Sequence, residues 1–167
     1  MNLKNEPLTP SPRSPRSIRV LFVCHGNICR SAMAEYMFKD MVKKRGIAAD
    51  FYIESAATSS EEIGNPVYPP ARRELASHGI NCDGHHARRI RTEDYDKFDY
   101  LIAMEDYNIR NMKYAFPKGD TYGKICKMLD FTDRPGNIAD PWYTGEFGLT
   151  YSQLSEGLEG FLRHLGY

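Results

Sequence analysis

Between Cys24 and Arg30 the chain reads CHGNICR, and SAMAE follows. Two cysteines, a histidine, a glycine, an asparagine and an arginine within seven residues are poor material for a core. They suit the holding of an oxyanion. The guanidinium fork of Arg30 matches two oxygens of a phosphate. Gly26 permits a backbone angle that most residues avoid, and Asn27 tolerates the left-handed region. At a strand-to-helix junction the free N–H groups of such a loop converge and form an anion cradle. The same field favours a thiolate at Cys24, because helix N-termini and nearby cations lower a thiol's pKa. A thiolate beneath a bound phosphoryl group is a nucleophile in line with the leaving oxygen. The chemistry implied is phosphoryl transfer to cysteine. Cys-x5-Arg alone is a weak pattern, and its weight comes from this junction and from Ser31 directly after it.

Position depends on the flanking elements. SIRVLFVC is a short apolar run rich in β-branched residues, the pattern of a buried parallel strand. In SAMAEYMFKDMVKKRG, Met33, Met37 and Met41 recur every four residues and basic residues gather before Gly46, which predicts an amphipathic helix with a core-facing methionine stripe. DFYIESAATS, FDYLIAME and KICKMLDF read as three further strands. NPVYPPARRELASHG and DYNIRNMKYA read as helices, with Asp106 able to cap the second or to charge its first turn. TDRPGNIADPWYTGEFGLT reads as a loop, and TYSQLSEGLEGFLRHLG as a closing helix weakened by two internal glycines. The fold class is therefore α/β: a four-stranded parallel sheet with helices on both faces, and the phosphate-binding loop between the first strand and the first helix.

At 167 residues the chain suits one folded domain, expected over residues 18–167. Residues 1–17 carry four of the ten prolines and almost no apolar side chains, which predicts a disordered tail without a secretory h-region. A net charge of zero gives no general pull toward nucleic acid or a membrane. No apolar run is long enough to span a bilayer. The four cysteines, Cys24, Cys29, Cys82 and Cys126, form no paired C-x2-C clusters, so reduced thiols and a cytoplasmic location are expected. No metal or cofactor is called for, since Arg30 and the loop amides supply positive charge.

VCHGNICRSAMAE resembles the signature of the low-molecular-weight protein tyrosine phosphatases. SAATS, EIGNP, HHARRI, FDYLIAME and ADPWY follow in the family's order, so the resemblance covers roughly residues 18–165. It implies hydrolysis of phosphotyrosine through a phosphocysteine intermediate. Cys24 would be the nucleophile, Arg30 the phosphate clamp and Asp140 the general acid. His25, Gly26, Asn27, Ile28, Cys29 and Arg30 would form the phosphate-binding loop. Ser31 would hydrogen-bond the thiolate, with Asn27, Ser55 and His85 holding the loop in shape. His25, Glu61, Trp142 and Tyr143 would wall the pocket. Cys29 would be the redox partner of Cys24. Without the resemblance, the Asp140–Pro141 pair reads as a turn and His85 as an ordinary packing histidine. Phosphotyrosine proteins are the implied partners, an autophosphorylating tyrosine kinase among them, and the protein would be a monomer or weak dimer.

Three positions depart from the family's pattern. His25 stands where an apolar residue is usual, and its charge state is expected to add pH dependence. Ala32 replaces a proline. Glu61 stands where many members carry an aromatic wall, which would open one side of the pocket or disfavour acidic peptides. Three alternatives compete. An arsenate reductase of the same fold needs a close downstream cysteine pair, and Cys82 and Cys126 are far apart in sequence. A phosphoarginine phosphatase commonly has threonine where Ile28 stands. A non-catalytic phosphotyrosine-binding module has no need of Cys24, Arg30 and Asp140 together.

Overall fold

A computed structural model of the chain describes residues 17–167. The expected tail lies outside the described residues apart from Ser17, whose hydroxyl donates to the Ala49 carbonyl. Four parallel strands, β1 (Ile18–Cys24), β2 (Phe51–Ala57), β3 (Tyr100–Ala103) and β4 (Ile125–Lys127), form one sheet in the order β2-β1-β3-β4. The helices are α1 (Arg30–Lys44), α2 (Pro69–Ser77), α3 (Asp94–Lys97), α4 (Asp106–Ala115), α5 (Pro141–Thr144) and α6 (Phe147–His164). The chain moves from β1 to one neighbour, then crosses to the other. The strand order therefore reverses at β1, and a crevice opens beyond its carboxyl end, where such sheets bind ligands. Cys24 is the last residue of that strand.

The apolar run of β1 is continuous because both its faces are covered. Val20, Leu21, Phe22 and Val23 have no exposed surface. Val20, Phe22 and Cys24 belong to one core with residues of α1, α2 and α6, among them Phe38, Leu75 and Phe161. Leu21 and Val23 belong to the other, with Phe98, Met112 and Phe116 around α3 and α4. Met33 and Met37 are buried as their spacing predicts, while Met41 is half-buried at the core's edge.

Several boundaries differ from expectation. KICKMLDF is a strand only through Lys127, and Met128–Phe131 turns into a 3-10 helix. The Asp130 carboxylate accepts the Lys127 N–H at 2.8 Å, a local bond that competes with the sheet ladder. Glu105, not Asp106, is the N-cap of α4, and it forms a capping box with Asn108. The stretch before the last helix is not all loop: α5 forms in it, and α6 starts at Phe147.

Two of the three glycines in α6, Gly157 and Gly160, have a packing reason. A Cβ on Gly160 would lie 1.9 Å from the Phe131 carbonyl oxygen, and one on Gly157 would lie 2.6 Å from the Met128 Cγ. The helix lies directly against the 3-10 turn, and only hydrogen side chains permit that approach. Gly160→Ala is expected to destabilise the protein by about 3 kcal/mol, against a stabilisation of up to about 1 kcal/mol for Gly148→Ala, where the nearest atom is 3.8 Å away. Urea unfolding of the two variants checks the opposite signs.

Candidate active site

The loop from Cys24 to Arg30 turns from the sheet into α1. Its unusual backbone angle falls on Asn27, with φ of 59°, the one non-glycine residue with positive φ among the described residues. The left-handed conformation that asparagine tolerates is thus used at Asn27 and not at Gly26, and the bonds to its buried side chain hold it there. No side chain caps the start of α1, and no acid stands in its first turn, so the helix's positive end remains unneutralised. The N–H groups of Asn27 and Ser31 both point at the Cys24 Sγ, each at 3.4 Å. The Ser31 hydroxyl lies 3.0 Å from the same sulfur.

Which way that hydroxyl points follows from its neighbours. A carboxylate only accepts, so Ser55 donates to Glu35. The Ser55 oxygen then accepts from the Asn27 amide at 2.8 Å, and the Ser31 oxygen accepts the other amide proton at 2.9 Å. The amide oxygen of Asn27 takes the Arg88 N–H at 3.1 Å, which fixes the amide's orientation. The Ser31 proton is left for the sulfur of Cys24. His85 Nε2 donates to the Asn27 carbonyl at 2.8 Å, and its ring packs edge-on against Tyr36. Ser31, Asn27, Ser55 and His85 thus meet in one network, and Glu35 and Arg88, unremarked in the sequence, complete it.

Arg30 is 1% exposed, an unusual setting for a cation. Nη1 donates to the Ile138 carbonyl at 2.9 Å, while Nη2 lies 3.2 Å from Glu105 Oε1 and 3.3 Å from Asp140 Oδ2. Burial opposes its charge, but Cys24, Asp140 and Glu105 together raise its pKa above the ordinary value. Its Nε is buried with no hydrogen-bond partner. Glu105 and the Ile138 carbonyl are partners of Arg30 that sequence reasoning missed. Glu105 closes FDYLIAME, which the sequence reads as a strand with no role for its last residue.

Cys24, His25, Gly26, Ile28, Cys29, Arg30, Glu61, Glu62, Asp140, Trp142 and Tyr143 line one cavity. Asp140 caps α5 by accepting the Trp142 N–H at 3.0 Å, which places its other oxygen toward Arg30. Trp142 leans on Tyr68 at 4.6 Å between ring centroids, and Tyr143 is 85% exposed at the rim. Glu61 does not stand alone as an open wall: its carboxylate meets His25 Nε2 at 3.1 Å. Burial pushes the Cys29 thiol well up, with Cys24 and Asp140 adding to the shift, so it stays protonated beside Cys24. Neither Cys82 nor Cys126 lines the cavity. Cys126 lies in the edge strand, its thiol pushed up to about 12 by burial. Among the described residues no group of three or more His, Cys, Asp or Glu is placed to hold a metal, and no helix is long and apolar enough to cross a membrane.

The network makes a separable prediction. Ser31→Ala removes a hydrogen bond to the charged form of Cys24, so alkylation by iodoacetate at pH 6 is expected to slow by roughly tenfold. The melting temperature should move little by comparison. An unchanged alkylation rate would mean that the hydroxyl proton points elsewhere, toward the Ala56 carbonyl at 3.5 Å.

Comparison with known proteins bears on this cavity directly. The family model described as low molecular weight phosphotyrosine protein phosphatase matches residues 19–167. The low molecular weight protein-tyrosine-phosphatase YfkJ of Bacillus subtilis is 37% identical, over 87% of this chain and 94% of its own. Its crystal structure superposes with a TM-score of 0.87 at 35% identity, covering 92% and 97% of the two chains. The low molecular weight phosphotyrosine protein phosphatase of Schizosaccharomyces pombe is 38% identical, over 90% and 98%. The Drosophila arginine phosphatase DARP superposes with a TM-score of 0.80 at 33% identity, over 89% and 98%. With the cradle, the sulfur and the arginine assembled in this fold, the chain belongs to the low molecular weight phosphotyrosine protein phosphatase family.

Proposed function

We infer that the protein is a protein tyrosine phosphatase that hydrolyses phosphotyrosine through a phosphocysteine intermediate. One observation carries the reading. The Cys24 sulfur sits under three hydrogen-bond donors, in the same cavity as a buried Arg30 and the carboxylate of Asp140. In the first step the thiolate attacks phosphorus, and the bond from phosphorus to the tyrosine oxygen breaks. Arg30 and the loop amides hold the equatorial oxygens, with the free Nε of Arg30 a ready donor. Asp140 gives its proton to the leaving oxygen, which is a poor leaving group unprotonated. In the second step water attacks the phosphocysteine, its proton passes to Asp140, and the sulfur leaves as thiolate. Trp142 and Tyr143 offer ring surface to the substrate. Cys29, held as a neutral thiol, is the group that would pair with Cys24 on oxidation.

The substrates on this reading are phosphotyrosine proteins, an autophosphorylating kinase among them, met in the cytoplasm by a monomer or weak dimer. Cys82, buried, and Cys126, half-buried in the edge strand, both lie outside the cavity and lend no support to arsenate reduction. The Drosophila neighbour makes phosphoarginine the competing substrate. Ile28 in the cavity lining favours the aryl ester, because its apolar side chain offers contact to a ring and no hydrogen bond to a guanidinium.

Hydrolysis of p-nitrophenyl phosphate against pH, without metal, is the first test. An acidic optimum is expected, since the thiolate and a protonated Asp140 must coexist and the second is lost as pH rises. Cys24→Ser should abolish turnover, and Asp140→Asn should lower it by about 10²-fold or more. Faster turnover of a phosphoarginine peptide than of the matched phosphotyrosine peptide would overturn the substrate class. In the same assay His25→Leu should change the shape of the pH profile by removing the imidazole paired with Glu61. A superimposable profile would leave His25 without a role in the chemistry.

A further inference from the structure

Beyond the His25–Glu61 pair lies a second, larger depression of about 450 Å³. His25 and Glu61 line both cavities, so the two adjoin at that pair. One wall is a face of α4: Tyr107, Asn111, Tyr114 and Ala115 stand at i, i+4, i+7 and i+8. The opposite wall carries Thr58, Ser59 and Ser60 from the loop after β2, together with Arg89. We propose that this groove binds a second phosphotyrosine of the same substrate, beside the one being hydrolysed, a reading that rests on the phosphatase activity inferred above.

The case is one of charge and shape together. The guanidinium of Arg89 has no carboxylate partner among the described residues, whereas its neighbour Arg88 is held by Asp94 and Glu54. The backbone at Arg89 is fixed, because Ala57 pairs with it as an isolated bridge and receives the Ile90 N–H at 2.8 Å. An arginine on an anchored backbone is a pre-organised receptor for a phosphate. The Thr58 hydroxyl is buried and has no hydrogen-bond partner, and His25 Nδ1 is in the same state. Both residues line the groove, with these two atoms buried beneath its surface.

The rings supply the rest. Tyr114 is 82% exposed and Tyr107 46%, surfaces against which an aromatic side chain can lie. Arg110 sits 4.9 Å from the Tyr107 centroid and adds positive potential at the rim. The single acid in the lining, Glu61, already faces His25. An isolated carboxylate would use Arg89 and the hydroxyls but leave the two tyrosines idle. An unphosphorylated aromatic would do the reverse. Phosphotyrosine uses both.

The test is kcat/KM on one peptide backbone bearing a single phosphotyrosine, or a second one placed one, two or three residues to either side. Matched peptides carry glutamate or tyrosine at the second position. At the spacing that fits, the doubly phosphorylated peptide should be preferred by about tenfold, well above the doubling that two targets give by counting alone. Arg89→Gln should abolish the preference, and Tyr114→Ala should reduce it. Both variants should turn over p-nitrophenyl phosphate as the wild type does. A wild type active on that ester but indifferent to the second phosphate at every spacing overturns the subsite alone. So does a preference that survives Arg89→Gln, or one that glutamate reproduces in full. A wild type inactive on the ester overturns the phosphatase reading and the subsite with it.

Discussion

A cation sealed inside a small protein has to be answered by anions and acceptors, and Arg30 is that cation. Its guanidinium reaches the Ile138 carbonyl, Glu105 at the β3–α4 junction and Asp140 at the start of α5. These lie on two separate segments, Glu105 on one and Ile138 with Asp140 on the other, and neither is near Arg30 in sequence. The pairing therefore does structural work besides its place in the cavity: it gathers the loop bearing Asp140 over the cradle. Removing one partner of such a buried pair leaves an uncompensated charge, at a cost of about 3–5 kcal/mol. Nε remains unbonded within the cradle, so the residue is braced on one side and free to receive an oxyanion on the other.

The sulfur is arranged by a different kind of constraint. Hydrogen bonds in a closed polar network have directions, and those directions are fixed by whichever member cannot choose. Here Glu35 can only accept and the Arg88 N–H can only donate. Between them the amide of Asn27 has one orientation, and the hydroxyls of Ser55 and Ser31 follow from it. The strained backbone at Asn27 is held by the same bonds. Backbone conformation, side-chain polarity and the environment of Cys24 are thus one structure viewed at three scales.

Access to the site is set by the loops rather than by the sheet. His25 and Glu61 form a low divide between the catalytic cavity and the groove against α4. An aromatic residue at the position of Glu61 would form a wall. The His25–Glu61 contact instead leaves a polar ridge between two cavities that differ in lining and in size.

The sequence by itself determined the strand that carries Cys24, since an unbroken β-branched run buried on both faces has few other places to go. It also pointed to the turn from β1 into α1, where a glycine and an asparagine stand between Cys24 and Arg30. The methionine stripe and the leucine-rich face of α6 were legible for the same reason: their periodicity is local. Tertiary structure decided what depends on approach between distant segments. The glycines of α6 look like helix weaknesses until Phe131 is seen 1.9 Å from where a Cβ would be. Glu105 looks like the last residue of a strand until Arg30 is beside it. The shortening of β4 turns on one carboxylate bond from Asp130. Periodicity records which face of an element is buried, but it carries no information on which buried group meets which. That pairing is fixed only when the chain closes and each polar atom must find a partner.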